Sequence, residues 1–289
     1  MTNEHINADL HMHSTASDGG YNPSDLIEKC KQVGLQYIAL TDHDTTAGVK
    51  EAIEKGRELG VFVIPGIEFS TKYKGKSVHM LGYGLDYENQ ELCEMLKGQQ
   101  RMRRKRLDVI INKLKAVGLI LTADDVLEFV DGGSIGRPHV AKALIKKNYV
   151  HDVAEAFEKY LAEGRPCYVP KEKEMTPEEA INWIHRMNGV SIIAHPVYYD
   201  LDDWIETLVT EYGLQGVEVY HRDHSKEDRI HYEKLVKQIE TKHNTTLLKT
   251  GGSDFHHEDY GRVREPLGVT RIHNNYAKEL IAMLEKKNR

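Results

Sequence analysis

Short apolar segments alternate with amphipathic helical segments over most of the chain. Strands are predicted at residues 6–11, 37–41, 61–65, 78–82, 191–194, 216–220, 247–250 and 268–272. Helices are predicted between them at residues 23–33, 47–59, 176–187, 202–212, 226–243 and 276–286. This alternation favours an α/β fold built on a largely parallel sheet, of which the TIM-like barrel is one closed form.

One long region replaces the alternation with helices alone. Its helices are predicted at residues 99–117, 123–130, 138–146 and 153–161. The first of them has an apolar stripe that includes Leu107, Ile110 and Leu114, and its N-terminal half is strongly basic (RMRRKR). Residues 98–165 are therefore predicted to form a small helical module, inserted into a barrel domain that comprises residues 1–97 and 166–289.

Composition excludes several classes of protein. The 289 residues are 40% hydrophobic and 29% charged, which is ordinary for a globular chain with a sizeable core. No apolar run could span a bilayer and the N-terminus lacks a signal-peptide pattern, so a cytoplasmic location without membrane contact is expected. The net charge of −6 argues against indiscriminate binding to nucleic-acid backbone. Cys30, Cys93 and Cys167 are too scattered for a disulfide framework or a thiolate zinc site.

Side chains that commonly bind metals follow or fall within nearly every predicted strand. They include two histidines spaced as in a strand, so that both project from one face, and the full set is His11, His13, His43, Glu68, His79, His195, Asp254 and His256. Each residue alone is more often a cap or a turn residue than a ligand. Because barrel enzymes carry their chemistry at the carboxyl ends of the strands, the set as a whole predicts a metal site there.

The motifs around these residues resemble a known family. DLHMHSTASDG, ALTDHD, PGIEFS, VHMLGYG, IIAHP, GVEVYH and GSDFH are similar to motifs of the PHP (polymerase and histidinol phosphatase) superfamily of metal-dependent phosphoesterases. The segments SIGRPHVAKALIKKNYV and EAFEKYLAEGRPCYVP more narrowly resemble the group of nucleoside 3′,5′-bisphosphate phosphatases and 5′→3′ exoribonucleases. The resemblance covers essentially the whole chain and implies a distorted (β/α)7 barrel that holds three divalent metal ions.

The resemblance also implies which residues hold each ion. The first ion would be held by His11, His13 and Asp254, with Glu68 bridging it to the second. The second would be completed by His79 and His195, and the third would be held by Asp18, His43 and His256. Family members often carry a histidine where this chain has Asp18. The carboxylate oxygen is a harder ligand, in the chemical sense, than an imidazole nitrogen, so the third site would have harder ligands. Mixed imidazole and carboxylate ligands suit manganese, iron or zinc, and the sequence does not choose between them.

Substrate-binding residues are predicted in the helical module. Arg137 lies at a helix start between Gly136 and Pro138, where its guanidinium could clamp a phosphate in a bidentate manner; the alternative is that it bridges parts of the module. His139 is a neighbouring candidate. Arg103 and Arg106 continue the inward stripe of their helix and could face the site, whereas the alternative is a solvated basic face.

Two further residues are candidates for a catalytic role. His221 ends the GVEVYH segment and could donate a proton to the leaving oxygen or bind a phosphate; a buried structural histidine is the alternative. Asp42, which with Asp44 flanks His43, could orient an imidazole or cap the following helix. Arg222, His224 and Arg262 are minor candidates.

The resulting functional prediction is a hydrolase that removes the 3′-phosphate of a nucleoside 3′,5′-bisphosphate through attack by a metal-bridging hydroxide. A 5′→3′ exonuclease activity on short 5′-phosphorylated RNA is chemically adjacent, because an ester at the 3′ oxygen is cut in both reactions. The predicted partner is a small nucleotide or an RNA end, and no obligate protein partner is predicted. Alternatives are another phosphatase of the superfamily, such as a histidinol-phosphate phosphatase, or a non-catalytic metal-binding module.

Overall fold

The computed structural model describes residues 6–130, 135–170, 174–259 and 265–287. Seven strands form one sheet in which the spatial order follows the chain order. The strands are β1 (Ala8–Asp9), β2 (Tyr37–Leu40), β3 (Phe62–Tyr73), β4 (Lys76–Tyr83), β5 (Val190–Ile193), β6 (Gly216–His221) and β7 (Leu248–Gly252). The last strand returns to the first, because the Leu10 N–H donates to the Gly251 carbonyl at 3.1 Å and the His13 N–H to the Phe255 carbonyl at 2.8 Å. The predicted distorted seven-stranded barrel is confirmed.

The helices lie mostly where the apolar periodicity predicts them. They are α1 (Pro23–Gln32), α2 (Val49–Leu59), α3 (Gln90–Ala116), α4 (Ala123–Leu127), α5 (Arg137–Lys146), α6 (Val153–Ala156), α7 (Pro177–Arg186), α8 (Asp202–Tyr212), α9 (Lys226–His243) and α10 (Asn274–Lys287). A π-helical segment, Phe157–Leu161, continues α6, and a 3₁₀ turn, Pro196–Tyr198, follows β5. None of the helices in the described ranges is long and apolar enough to cross a membrane.

The middle of the barrel departs from the parallel arrangement. Strand β3 continues for 12 residues and folds back on β4 as an antiparallel hairpin, and β4 is also antiparallel to β5. The short strand predicted at 61–65 is therefore wrong in its extent, and Glu68 lies within β3 instead of beyond its end. Lys74 and Gly75 make the turn, both with positive φ (46° and 81°). Glu68 still reaches the carboxyl edge of β2, because it forms a parallel bridge with His43.

Several other predicted boundaries are wrong. The strand predicted at 6–11 is confined to Ala8–Asp9, and the helix predicted at 123–130 ends at Leu127. Residues 268–272 do not form a strand, since Ile272 makes only an isolated bridge to Ala8. Helix α3 begins at Gln90 instead of residue 99, because the Asn89 side chain caps it by accepting from the N–H groups of Glu91 and Leu92.

Of the four hydrophobic cores in the described residues, helix α3 joins one in the barrel to the one in the module. Its first turns pack Leu92 and Leu96 into the barrel core, whereas Leu107 and Leu114 pack into a separate core of the module. That second core also contains Val140, Leu144, Leu161 and Cys167. The predicted division between residues 97 and 98 falls inside this continuous helix, and the domain bounds stay a prediction.

The closure of the barrel depends on a glycine. A Cβ atom at Gly252 would lie 2.5 Å from the backbone N of His11 and 2.7 Å from Oδ1 of Asp9. Neither atom belongs to a flexible side-chain end, because Asp9 is fully buried and accepts from Ser253. Only glycine therefore allows β7 to lie this close to β1.

We expect Gly252→Ala to lower the free energy of unfolding by about 1–3 kcal/mol, the usual range for overpacking. Gly98→Ala is the matched control, because a Cβ there meets only one atom, at 3.9 Å, within helix α3. That control should stabilise the protein by about 0.5–1 kcal/mol, since alanine is the better helix former. Urea unfolding of both variants measures the contrast, and equal effects would contradict the close approach at Gly252.

Candidate metal centre

Glu68 lies at the centre of the buried cluster. Its Oε2 atom is 3.2 Å from Nε2 of His11, 3.2 Å from Nε2 of His13 and 3.1 Å from Nδ1 of His43. His11 and His13 face the same way because they alternate in extended backbone, and Met12 between them packs into the apolar core. Three imidazoles from two strand ends thus converge on one oxygen.

The other oxygen of Glu68 serves the opposite side of the cluster. Oε1 is 2.9 Å from Nδ1 of His79 on β4 and 3.0 Å from Nε2 of His195 after β5. The Tyr199 hydroxyl fixes His195 at Nδ1, 2.9 Å away, and also accepts from the His79 N–H at 2.8 Å. Glu68 is therefore shared by two groups of imidazoles, as a bridging ligand would be.

Asp254 completes the group around His11 and His13. Its Oδ1 atom is 3.0 Å from Nε2 of His13 and 3.4 Å from Nε2 of His11. Asp254 has a φ of 49°, and His195 a φ of 26°, both in the left-handed region that non-glycine residues rarely adopt. Unusual backbone at these two strand ends turns their side chains into the cluster.

A third group forms where the chain folds back after β1. Asp18 Oδ1 lies 3.2 Å from Nε2 of His256, and Asp18 Oδ2 lies 4.0 Å from Nε2 of His43. Gly19 makes this turn possible, because a Cβ there would lie 2.3 Å from the His13 carbonyl oxygen. The turn returns Asp18 to the side of the cluster where the other two residues lie.

These distances bring all nine predicted ligands together. Four sets have candidate ligand atoms within 4.8 Å of one another in the described residues, and one of them is His11, Glu218 and His221. The three sets that consist only of predicted ligands are His11, His13, Glu68 and Asp254; His43, Glu68 and His79; and His13, Asp18, His43 and His256. His195 joins the second set through Glu68 Oε1. Each of these three sets could hold one ion, so the arrangement accommodates the three predicted sites, although His13 and His43 each lie near two of them.

Unpaired buried atoms show that the cluster fits metal ions. His11 Nε2, Asp18 Oδ1, His43 Nδ1 and Glu68 Oε2 are buried and have no hydrogen-bond partner despite their close neighbours. An unpaired buried polar atom is costly and needs an explanation. Atoms that point at a common ion, with imidazole and carboxylate chemistry, provide one.

Burial and mutual charge shift the titration of the cluster. Burial alone would raise the pKa of Glu68, but His43, His11 and His79 lower it well below its ordinary value. Burial would likewise lower the pKa of His11, yet Glu218, Glu68 and Asp254 raise it well above the usual range. Without metal the imidazoles of this cluster compete for protons, and bound cations would replace those protons.

Glu218 is a candidate site residue that the sequence analysis missed. It is completely buried on β6, where Oε1 is 2.9 Å from Nδ1 of His11 and Oε2 accepts from the His195 N–H at 2.8 Å. Burial would raise its pKa, but His11 and His221 lower it to about 2. A carboxylate on Nδ1 keeps Nε2 of His11 turned toward the cluster. The available signal was an acidic residue between valines in a short apolar strand.

Asp42 is buried, and no imidazole of the described residues is among its hydrogen-bond partners. Its carboxylate accepts from the Ser14 N–H (2.7 Å), the Ser14 hydroxyl (2.7 Å) and the Ser17 hydroxyl (2.6 Å). The predicted alternative of capping is wrong, because helix α2 begins after Gly48 without a side-chain cap. Asp42 instead holds the turn that carries Asp18, and its catalytic role stays a prediction.

His221 is completely buried at the end of β6. Its Nδ1 accepts from the Asp223 N–H at 3.1 Å, so a neutral ring carries its proton on Nε2. Nε2 lies 3.6 Å from Asp254 Oδ2. Of the minor candidates, His224 is buried with Nδ1 2.8 Å from the Val219 carbonyl oxygen, Arg222 borders the cleft, and Arg262 lies outside the described residues.

A cleft of about 600 Å³ opens above the cluster. Its floor includes Asp18, His43, His79, His195, Asp254 and His256. Pro138, His139 and Lys142 of α5 form one wall, and Tyr198, Arg222 and Asp223 of the barrel form another. The helical module therefore covers one side of the site, as its predicted role in substrate recognition requires.

Two of the predicted arginines donate to backbone carbonyls, and the third pairs with a residue beside the ligand cluster. The Arg137 guanidinium donates to the Leu161 carbonyl at 3.0 Å and lies over the rings of Phe157 and Tyr168. Arg106 donates to the Val169 carbonyl at 2.7 Å. Arg103 pairs with Asp44, the buried residue next to His43, and so connects α3 to the ligand cluster.

Both the fold and the cluster define a class of protein, the metal-dependent phosphoester hydrolases. A family model described as the PHP domain matches residues 9–167, which is more than half of the chain. The chain belongs to the PHP domain family.

Relatives of named activity span nearly the same length. A 5′-3′ exoribonuclease from Haemophilus influenzae is 33% identical over 252 residues, covering 86% of this chain and 89% of the relative. A 3′,5′-nucleoside bisphosphate phosphatase from Chromobacterium violaceum is 33% identical over 255 residues, covering 86% and 87%. A solved structure from Bifidobacterium adolescentis, described as that of a metal-dependent phosphoesterase, superposes with a TM-score of 0.80 at 30% identity over 96% of both chains. The resemblance read from the motifs is confirmed.

We expect Glu218→Gln to weaken metal binding by about 10- to 100-fold, the usual cost of losing a carboxylate that orients a metal-binding histidine. The glutamine amide can accept from only one of the two donors, His11 or the His195 N–H, that Glu218 now serves. Titration of metal-free protein with Mn²⁺ measures the change. Glu206→Gln is the control, because Glu206 pairs with Lys242 on the surface. Equal affinity in both variants would show that Glu218 does not support the site.

Proposed function

We propose that this chain hydrolyses the 3′-phosphate of nucleoside 3′,5′-bisphosphates, and that it also accepts short 5′-phosphorylated RNA. The observation that carries the proposal is the division of the cleft. The ligand cluster forms its floor, whereas cationic or proton-donating side chains outside that cluster, His139, Lys142 and Arg222, lie on its walls. A substrate with two phosphates fits this division, because one phosphate meets the floor and the other meets a wall.

The metal ions would be held by the nine predicted ligands, and manganese, iron and zinc suit their imidazoles and carboxylates. When bound, such ions neutralise the phosphoryl oxygens and make water a better nucleophile at neutral pH. The residues of the chain orient these ligands and hold the substrate.

The wall formed by α5 has the chemistry of a phosphate site. His139 Nδ1 accepts from the Gly136 N–H at 3.0 Å, so the neutral ring carries its proton on Nε2 and can donate it in a hydrogen bond. Burial lowers the pKa of His139, which favours this neutral form. Lys142 follows one turn later on the same helix and borders the same cleft. Together they supply a donor and a charge to the second phosphate.

This proposal gives Arg137 a structural role and not a substrate-binding one. Its contacts with Leu161, Phe157 and Tyr168 support the alternative reading, in which the arginine bridges parts of the module and fixes the start of α5. Lys142 is then the cation of this helix that meets the phosphate. Direct clamping by Arg137 remains the competing prediction.

His221 is the proton donor in this proposal, although it is completely buried and adjoins the cleft floor only through Asp254. Its Nε2 proton lies next to Asp254, within the group that also includes His11. From there the ring would donate to the 3′ oxygen of the leaving nucleoside as the phosphorus–oxygen bond breaks, which is the general-acid role.

Hydrolysis of four substrates tests the proposal, with phosphate release measured for the three phosphomonoesters and nucleotide release for the RNA. Metal-loaded protein is assayed with a nucleoside 3′,5′-bisphosphate, a nucleoside 3′-monophosphate, a short 5′-phosphorylated RNA and histidinol phosphate. We expect the bisphosphate to give the highest kcat/KM, with the short RNA also cleaved from its 5′ end, and chelation to remove both activities. A preference for histidinol phosphate would contradict the proposal, and so would failure to hydrolyse both the bisphosphate and the short RNA.

Two variants in the same assay distinguish the phosphate-binding residues. Lys142→Met should lower kcat/KM for the bisphosphate by roughly 10-fold, because a hydrogen bond to a charged group contributes about 1.5–3 kcal/mol. The 3′-monophosphate, which lacks the second phosphate, should be little affected. Lys146→Met is the matched control, since Lys146 lies exposed on the same helix and pairs with Glu128. If Arg137→Ala shows the selective loss and Lys142→Met does not, direct clamping by Arg137 is correct.

A further inference from the structure

Tyr198 borders the cleft without belonging to the ligand cluster. It ends the 3₁₀ turn that follows His195, and 37% of its surface is exposed although it is a large aromatic residue. Its neighbour Tyr199 differs, since it is only 3% exposed and its hydroxyl is engaged by His79 and His195. Both tyrosines border the cleft, but Tyr199 is buried in support of the metal ligands whereas Tyr198 is exposed.

The ring of Tyr198 is fixed at both ends. Its hydroxyl donates to the Asp223 carboxylate, and Asp223 also lies 3.4 Å from Nε of Arg222. At the other end the ring lies 5.2 Å from the ring of His195 and 6.2 Å from the ring of His221, measured between centroids. A ring held in this way loses little conformational entropy when a ligand packs on it.

The position of this ring matches the shape of a nucleotide. A substrate with its 3′-phosphate on the floor and a second phosphate at α5 must direct its base toward another wall. Tyr198 lies on the barrel wall, and its ring centroid is 5.2 Å from that of His195 on the floor. The α5 residues belong to a different element, which forms the other wall. Aromatic side chains stack on any base, since every base has a π-face.

We infer that Tyr198 is the platform on which the base of the substrate stacks. The inference rests on the proposed function and extends it, because it names the part of the substrate that distinguishes a nucleotide from other phosphoesters. Stacking tolerates all bases, so the platform selects for the presence of a base and not for its identity.

Paired kinetics on a nucleoside 3′,5′-bisphosphate and on 1,4-anhydroribitol 3,5-bisphosphate, which keeps the sugar ring but lacks the base, test the inference. Tyr198→Leu should raise KM for the nucleotide by roughly 10-fold, in the range found when stacking residues are removed, with little change in kcat. The base-less substrate should show no such change. Tyr198→Phe, which keeps the ring, should recover most of the loss. Tyr212→Leu is the matched control, because Tyr212 is equally exposed (37%) at the end of α8.

Three results would overturn the inference. An equal loss on both substrates would mean that Tyr198 supports the site or binds a phosphate. Failure of Tyr198→Phe to recover activity would assign the effect to the hydroxyl and Asp223 instead of the ring. Wild-type protein that hydrolyses neither bisphosphate would refute the proposed function itself, and this outcome is recognised before any variant is compared. Metal content and circular dichroism of each variant establish that the fold is intact.

Discussion

The site depends on the burial of one carboxylate. Glu68 is completely removed from solvent and lies within 3.2 Å of nitrogen atoms from five histidines, His11, His13, His43, His79 and His195. An isolated buried anion would cost several kcal/mol, so it persists only where positive charge surrounds it. In the metal-free chain protons provide part of that charge. Burial alone would lower the pKa of His13, but Asp254 and Glu68 raise it to about 10. Metal ions and protons therefore compete for the same atoms.

The fold brings these atoms together through strand ends, and much of this was predictable. The alternation of His11 and His13 and the periodicity of many helices are local features that the sequence shows directly. Helices α8 and α9, for example, begin and end where the sequence predicts them. The β3–β4 hairpin was missed because pairing direction depends on contacts between distant segments. Glu218 was missed because its partner, His11, lies 207 positions away in the chain. Sequence motifs thus predicted the ligands, whereas the residues that orient the ligands could be found only from the tertiary structure.

The substrate side was less predictable for a physical reason. Whether a helix-start arginine faces a cleft or a neighbouring carbonyl depends on packing, and Phe157 and Tyr168 draw Arg137 into the module. Helix α3 connects this module to the cluster, because it packs into a core of the barrel and the core of the module, and its Arg103 pairs with Asp44 beside His43. Helix α3 therefore links the module, which carries the α5 wall of the cleft, to the barrel, which carries its floor.

Metal content per chain is the most direct test of the central claim, that Glu68 is the shared ligand of the cluster. Glu68→Gln and Asp18→Asn are equilibrated with the same free Mn²⁺ concentration as the wild type, and bound metal is counted by elemental analysis. Because Glu68 contacts two of the ligand sets and Asp18 only one, Glu68→Gln should lose at least two ions and Asp18→Asn only one. A folded Glu68→Gln protein that keeps the wild-type metal content would contradict this account.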